Sequence, residues 1–513
     1  MADARIADAL ARLPDYLGNH VLVSVTALAL GLATSLPLAL ISYRRPALRS
    51  GLLAVTSIVQ TIPGLALLAL FYPLLLGLAA LSERTIGFGF SALGFLPAVL
   101  ALALYSMLPV VRNTITGLLG IDPAIRRAAR GVGMTERQSL RMVELPLALP
   151  VIMAGVRTAS VWVIGTATLS TPIGQTSLGN YIFTGLQTQN WIFVLFGCVS
   201  AAVLALVVDG LLALVQRGYS ERSHRLAGIG ALGLSLIVLI AFVPHLSGAR
   251  SGYVIGAKPF AEQYILAAAI EQRLAARQLA ATRRDGLGSA VIFNALVAGD
   301  IDAYVEYSGT VWANQMQRTD VPPREQVLSE VTNWLKQQHG IGVVGGLGFE
   351  NAYALALTQR RADALGITSL ADLARHAPTL SIAGDYEFFG RPEWKALSET
   401  YGLTFRQQRQ MQAEFMYPAV AAGEVDVISA YTSDGRVDQF ALRTLADPKQ
   451  AIPPYDAILL ISPKRTGDAA FLDVLRPLVG AIPVEIMREA NRRSSEGVSV
   501  EETARWLTEK IGR

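Results

Sequence analysis

A chain of 513 residues is long enough for two or three domains. It is 52% hydrophobic and only 16% charged, which is too apolar for an ordinary soluble protein. The net charge of +4 comes without a basic run, which argues against a nucleic-acid partner, and the single Cys198 excludes disulfides and cysteine-rich metal sites.

The apolar runs fall in the first half, and Lys258 is the first lysine of the chain. A bilayer-spanning helix needs about 20 mostly apolar residues. In chain order the predicted spans are Val21–Tyr43, Leu52–Leu76, Ser91–Val111, Leu147–Leu169, Trp191–Leu214 and Leu226–Val243. The second is interrupted by Pro63-Gly64 and by Pro73, and a kink is expected there. Before the first span, Asp3, Asp8 and Asp15 sit beside Arg5 and Arg12. That is not the basic start of a signal peptide, so the first span is expected to stay in the membrane.

Arginines set the orientation. Arg44, Arg45 and Arg49 follow the first span, Arg126, Arg127, Arg130, Arg137 and Arg141 the third, and Arg217, Arg222 and Arg225 the fifth. The alternate loops are poor, with Arg84 alone in 77–90 and neither Lys nor Arg in 170–190. The arginine-rich side is read as cytoplasmic, which puts the N-terminus and everything after Val243 outside. Arg157 and Asp209 lie in or near the spans, where two readings stand open: they pair with each other, or each snorkels to the headgroups.

Between the third and fourth spans lies a polar loop, 121–146. It carries Arg127-Ala128-Ala129, then Gly133, then Val143-Glu144-Leu145-Pro146. The expected form is helix, sharp turn, helix. Ala128 and Ala129 let another surface approach, Gly133 relieves the turn, and Pro146 ends the polar helix or opens the next. The stretch resembles the coupling loop of ABC importer permeases, whose pattern is Glu-Ala-Ala, three residues, Gly, nine residues, Ile-x-Leu-Pro. Arg127 and Val143 stand where that family usually has Glu and Ile. The resemblance implies that Arg127, Ala128, Ala129, Gly133, Leu145 and Pro146 meet a cytoplasmic ABC ATPase dimer. No Gly-x-x-x-x-Gly-Lys-Ser/Thr phosphate loop occurs in the chain, so ATP is expected on that partner and the chain is not read as an enzyme. One copy has too few spans to enclose a pathway through the lipid, and a homodimer is expected.

The second half changes texture. The division expected is a transmembrane permease domain at 1–246, a linker at 247–252 and a soluble domain at 253–513. Strands are predicted at Tyr253–Gly256, Ala303–Glu306, Tyr353–Leu357, Leu380–Ala383, Val425–Ala430 and Ala457–Ile461. Helices are predicted at Glu262–Leu279, Arg324–Gln338, Leu370–Arg375 and Phe471–Val479. The fold class expected is thus an all-α membrane domain of about six transmembrane helices, then an α/β domain of a length that suits two lobes. The runs below liken it to periplasmic binding proteins, which makes the expectation an α/β two-lobed periplasmic-binding-protein-like domain. Its lobes would be 253–353 with 456–513, and 354–455.

The runs Lys258-Pro259-Phe260-Ala261-Glu262-Gln263, Ile301 to Thr310, Asn351-Ala352-Tyr353, Ala430 to Arg436 and Pro453-Pro454-Tyr455-Asp456 are similar to the osmoprotectant-binding proteins of ABC importers. Those bind glycine betaine, carnitine, choline and related quaternary amines. A trimethylammonium has no hydrogen-bond donor and is held by aromatic faces, at roughly 0.5–2 kcal/mol per ring. The resemblance places the cage on Tyr307, Tyr353, Tyr431 and Tyr455, and donors for a ligand carboxylate on Gln263 and Thr310. Arg391 is a further candidate, as a charged fork. Phe388 and Phe389 would suit a bulkier ligand, which keeps ergothioneine as an alternative. The histidines His20, His224, His245, His339 and His376 show no metal-ligand spacing, and no metal or other cofactor is expected. The reading is a multi-pass protein of the cell (inner) membrane, surrounded by lipid, with its binding domain outside. A membrane-anchored ligand sensor is the rival of another class.

Overall fold

The computed structural model describes residues 2–87, 90–187, 190–246, 252–318, 320–385 and 388–512. The chain divides into two compact units, one of residues 2–183 with 192–249, the other holding 250–513. Most of the expected linker, residues 247–251, lies outside the described residues.

The first unit is helical. Its elements are α1 (Ala2–Ser42), α2 (Pro46–Thr61), α3 (Gly64–Ile86), α4 (Phe95–Leu119), α5 (Pro123–Gly131), α6 (Glu136–Ser139), a π-helical turn at Leu140–Glu144, α7 (Leu145–Ala167), α8 (Gly179–Gln187), α9 (Trp191–Ser220) and α10 (His224–Leu246). Among the described residues, six helical stretches are long and apolar enough to cross a membrane. The predicted second span needs correction. Leu52–Leu76 is two helices, broken at Ile62-Pro63, and the crossing stretch is Gly64–Ile86. Ile62 is extended, with ψ of 127°, the conformation that a following proline favours. The Tyr105 hydroxyl donates to the Ile62 carbonyl at this break. α2, with 16 residues, is too short to cross.

α4 is the buried centre of the unit and packs against α1 and α7. The α4–α7 approach depends on Gly155: a Cβ there would lie 2.7 Å from both the Asn113 Cβ and the Pro109 carbonyl. Arg157 of α7 and Asp209 of α9 do pair, through Nε–Oδ1 at 2.8 Å and Nη2–Oδ2 at 2.7 Å. Gln216 accepts from Arg157 at 3.2 Å and donates to the Pro150 carbonyl at 2.9 Å, tying the same two helices again. Asp209→Leu is expected to destabilise the detergent-purified protein by about 1–3 kcal/mol. That is less than the ~3–5 kcal/mol of a fully buried pair, because each side chain is about a third exposed. The double variant Arg157→Leu/Asp209→Leu should regain most of the loss in thermal unfolding. A double mutant no better than the single would show that the pair contributes little.

The second unit holds ten strands: β1 (Tyr253–Gly256), β2 (Ala281–Arg284), β3 (Ala303–Tyr307), β4 (Gly342–Glu350), β5 (Tyr353–Thr358), β6 (Ser381–Gly384), β7 (Gln407–Gln410), β8 (Val427–Tyr431), β9 (Leu442–Thr444) and β10 (Asp456–Ile461). They form two five-stranded sheets, ordered β2-β1-β3-β10-β4 and β7-β6-β8-β5-β9. Each sheet has three parallel strands, then an antiparallel one: β10 runs against β3 and β4, and β5 against β8 and β9. The chain passes from the first sheet to the second between Glu350 and Tyr353, and returns between Thr444 and Asp456. Asn351 N–H donates to the Tyr455 carbonyl at 2.9 Å, joining the two crossing segments. This is the α/β two-lobed architecture. Helix α11 (Ala261–Ala276) packs against β1, β2 and β3 of the first sheet.

Candidate functional site

The four predicted tyrosines stand at strand ends beside the crossings. Tyr307 ends β3 and Tyr455 directly precedes β10, while Tyr353 opens β5 and Tyr431 ends β8. Register explains the pairing within each lobe. Tyr353 sits opposite Tyr431, and Tyr307 opposite Ala457. Ring centroids of Tyr353 and Tyr431 are 4.8 Å apart, and Tyr455 meets Tyr353 edge-on at 5.9 Å. Phe260, just before α11, completes the set. Its ring lies 6.2 Å from Tyr307 and 6.2 Å from Tyr431, nearly parallel to the latter at 8°. The result is a run of five rings, Tyr307–Phe260–Tyr431–Tyr353–Tyr455, drawn from both lobes. Burial pushes the hydroxyls of Tyr307, Tyr353, Tyr431 and Tyr455 well above the usual phenol range, so all four rings are neutral.

Two cations of the protein already lie over these rings. Lys258 Nζ is 5.4 Å from the Tyr307 centroid, and the Arg391 guanidinium 5.2 Å from that of Tyr353. Each is also charge-paired, Lys258 with Glu306 and Arg391 with Glu393. Glu393 further accepts from the Tyr455 hydroxyl, so Arg391, Glu393 and Tyr455 form one unit. Across the site, the Tyr431 hydroxyl contacts Asp385 at 3.2 Å and Tyr353 at 3.1 Å. Phe388 lies 5.5 Å from Tyr353, and meets Phe389 edge-on at 5.4 Å and Trp394 at a tilt at 5.3 Å.

Gln263 is placed beside the cage, but its amide is committed. It donates to the Val305 carbonyl at 2.9 Å and to the Tyr307 hydroxyl at 3.1 Å. To serve a ligand it would have to release one of these. Thr310 is buried in the short helix that follows β3. Next to it, Gly309 has no room for a side chain: a Cβ would come within 2.5 Å of the Tyr455 ring. Gly309→Ala is therefore expected to displace Tyr455 and weaken ligand binding by about fivefold to a hundredfold, read by calorimetric titration, since overpacking costs ~1–3 kcal/mol. Affinity unchanged in that variant would mean that the Tyr455 ring is not needed where it stands.

Sequence reasoning did not assign Phe260, Glu262, Asp385 or Glu393 to the site. Phe260 had a signal, being the one aromatic residue in the first similar run and adjacent to a helix start. The two acidic residues Asp385 and Glu393 lie outside every run considered.

In the first unit the loop 121–146 does fold as helix, turn, helix. Asp122 caps α5 by accepting from Ala124 N–H at 2.7 Å, with Pro123 in the first turn. Gly133, at φ +83°, forms the left-handed turn, and Met134 N–H returns to the Ala129 carbonyl at 3.1 Å. Thr135 and Gln138 then form a capping box for α6. Arg127, Ala128 and Gly133 are exposed, Ala129 is buried, and Leu145 and Pro146 open α7 half-buried. Val132 and Met142 are 75% and 66% exposed, apolar tips on an otherwise polar loop.

One residue anchors this loop. Glu144, wholly buried, ends the π-helical turn. It accepts from Tyr43 at 3.2 Å, Arg44 at 2.8 Å, Arg126 at 3.1 Å and Ser139 at 3.0 Å. Arg44 also pairs with Glu136. A single carboxylate thus ties the end of α1 to α5, α6 and α7.

Residues 252–510 match the family described as the substrate binding domain of ABC-type glycine betaine transport systems. Residues 29–221 match the binding-protein-dependent transport system inner membrane component. The chain is 29% identical over 463 residues to the ergothioneine transport permease/ergothioneine binding protein EgtU of Helicobacter pylori (strain G27), covering 86% of this chain and 80% of that protein. It is 39% identical over 199 residues to the choline transport system permease protein OpuBB of Bacillus subtilis (strain 168), 39% of this chain and 84% of that one. The second unit is similar to the crystal structure of a glycine betaine/carnitine/choline ABC transporter, at 24% identity and a TM-score of 0.45, covering 51% of this chain and 98% of that one.

Proposed function

The chain belongs to the substrate-binding family of ABC-type glycine betaine transport systems, here joined to an inner-membrane permease component, and from that premise we propose that it imports a betaine-like quaternary amine of the glycine betaine, carnitine or choline class. It is a multi-pass membrane protein. The observation that carries the ligand class is the run of five aromatic rings shared by the two lobes. Neutral rings attract a desolvated trimethylammonium, which has no hydrogen-bond donor to offer. Asp385 and Glu393, which accept from cage hydroxyls, add negative potential there. A ligand carboxylate would be met by Arg391, shared with Glu393, and by Thr310 and Gln263.

The ligand closes the two lobes on the outer face of the membrane. Loop 121–146 faces the cytoplasm and meets a separate ABC ATPase through Arg127, Ala128, Ala129 and Gly133, with Leu145 and Pro146 setting the start of α7. Val132 and Met142 supply apolar contact. Two copies of this chain, with their lipid-facing helices outward, pair with two ATPase subunits. ATP chemistry belongs to that partner, and this chain needs no cofactor or metal of its own.

Ergothioneine is the second reading. It is favoured by the match, over 86% of this chain and 80% of that one, to the Helicobacter pylori protein, which carries that ligand in its name. The aromatic extension through Phe388, Phe389 and Trp394 would suit its ring. Calorimetric titration of the full-length chain with glycine betaine, carnitine, choline and ergothioneine separates the readings. Micromolar or tighter binding of one, lost in Tyr431→Ala, supports the cage and names the ligand. Silence with all four removes the cage assignment.

A further inference from the structure

Glu262 is a buried carboxylate of the second unit whose four donors come from both lobes, and its own side chain is not one of the cage rings. It sits on the first turn of α11, only 3% exposed. Its Oε1 accepts from the Tyr307 hydroxyl at 2.6 Å and from Asn351 Nδ2 at 3.0 Å. Its Oε2 accepts from Ser433 Oγ at 2.6 Å and from Asn491 Nδ2 at 2.8 Å. Burial pushes the acid up, and these four donors act against that.

The partners come from four places. Tyr307 is the cage residue of the first sheet. Asn351 lies on the first crossing. Ser433 is in the turn that follows cage residue Tyr431 of the second sheet. Asn491 lies on the helix Val484–Ser495, which packs against α11 and β4. The turn after Tyr431 meets that helix repeatedly. Arg488 Nε donates to the Thr432 carbonyl at 3.0 Å, Asn491 Nδ2 to the Ser433 carbonyl at 2.8 Å, and a Cβ on Gly435 would lie 2.5 Å from the Arg492 nitrogen. This is a seam between the lobes, and Glu262 is the carboxylate buried in it.

We propose that Glu262 is an interlobe latch: its one carboxylate fixes the Tyr307 ring on one lobe and, through Ser433, holds the turn bearing Tyr431 on the other, so that closure and cage geometry are set together. It is a positioning residue, acting on the ligand through Tyr307 and Tyr431. A carboxylate suits the place because all four neighbours donate to it, and only an ionised acid accepts at every position. Glutamine fits the same space but turns an N–H₂ toward donors, so Glu262→Gln is the sharp variant. Ser433→Ala removes the arm to the second lobe alone, and guards against Glu262→Gln failing to fold.

The inference rests on the betaine reading only for its choice of ligand. The test uses the full-length chain in detergent, with Cys198→Ser and two cysteines for fluorescent labels at the exposed positions Gln408 and Glu509, one on each lobe. In Glu262→Gln the interlobe distance should widen and broaden with no ligand added. The dissociation rate of glycine betaine, or of whichever of the four amines the parent binds, should rise about tenfold or more, since a hydrogen bond to a charged group contributes ~1.5–3 kcal/mol. Ser433→Ala should do the same more weakly, at roughly threefold, with little change in association rate. Distances and dissociation rates unchanged while only the melting temperature falls would reduce Glu262 to a structural residue and overturn the proposal. If the parent binds none of the amines, the betaine reading fails by itself, and the distance measurement still decides the latch.

Discussion

Tyr353→Ala is expected to weaken ligand binding at least about a hundredfold, the largest loss of any single change in the cage. The ring sits between Tyr431 at 4.8 Å, Tyr455 at 5.9 Å and Phe388 at 5.5 Å, with the Arg391 cation over it at 5.2 Å. Loss of one cation–π face alone accounts for up to about thirtyfold, from ~2 kcal/mol at a desolvated site. The remainder comes from the neighbours. Without Tyr353, Tyr431 keeps only Asp385 of its two hydroxyl partners here, and Arg391 loses the surface that holds it against Glu393. Tyr353→Phe separates these contributions. It keeps the ring and drops the hydroxyl, and should lose no more than about fivefold, one ordinary hydrogen bond. Titration of both variants with the amine that the parent binds checks the order. An alanine variant within threefold of the parent would remove Tyr353 from the cage.

Much of this arrangement is legible in the residues themselves, because it rests on short runs of chain. Tyr307, Tyr353, Tyr431 and Tyr455 each lie in a distinct motif beside a strand, and the apolar strands β1, β3, β5 and β10 stand out by composition. The strands that escape sequence reading lack that signal. Every residue of β7 is polar and exposed, and β4 carries Gly342, Gly345, Gly346 and Gly348, which read as a loop. The break at Ile62-Pro63 looked like a kink, because a proline inside an apolar run does not reveal whether the helix resumes on the same axis. Glu262 and Glu144 were hidden for a different reason. Each lies inside a recognisable run, yet Glu262 draws its partners from 45 to 229 residues away and Glu144 two of its four from about 100 residues away. No local pattern reports that a carboxylate is buried by distant donors.

Glu144→Ala is expected to abolish transport while leaving ligand binding by the second unit unchanged. The substitution removes the one acceptor shared by Tyr43, Arg44, Arg126 and Ser139. Breaking a buried ion pair from one side costs ~3–5 kcal/mol. Here the two arginines are 41% and 23% exposed and regain water, so the local loss should fall toward the lower end. That is still enough to free α5 from the end of α1 and to leave α6 held there only by the exposed Arg44–Glu136 pair, since the capping box at Thr135 and the Asp122 cap act only within the loop. Loop 121–146 would keep its local helices and lose its fixed attachment to the spanning helices. A movement of the ATPase would then stop at the loop. Glu144→Gln, which retains size and one acceptor, should transport at an intermediate rate. The check is uptake of the bound amine into vesicles holding the chain with its ATPase, beside hydrogen exchange of residues 121–146 and titration of ligand on the same preparation. Faster exchange, intact binding and lost uptake are the expected set. Uptake at the parental rate with the loop still protected would show that the loop is held by its own caps and by α7, and that Glu144 transmits nothing.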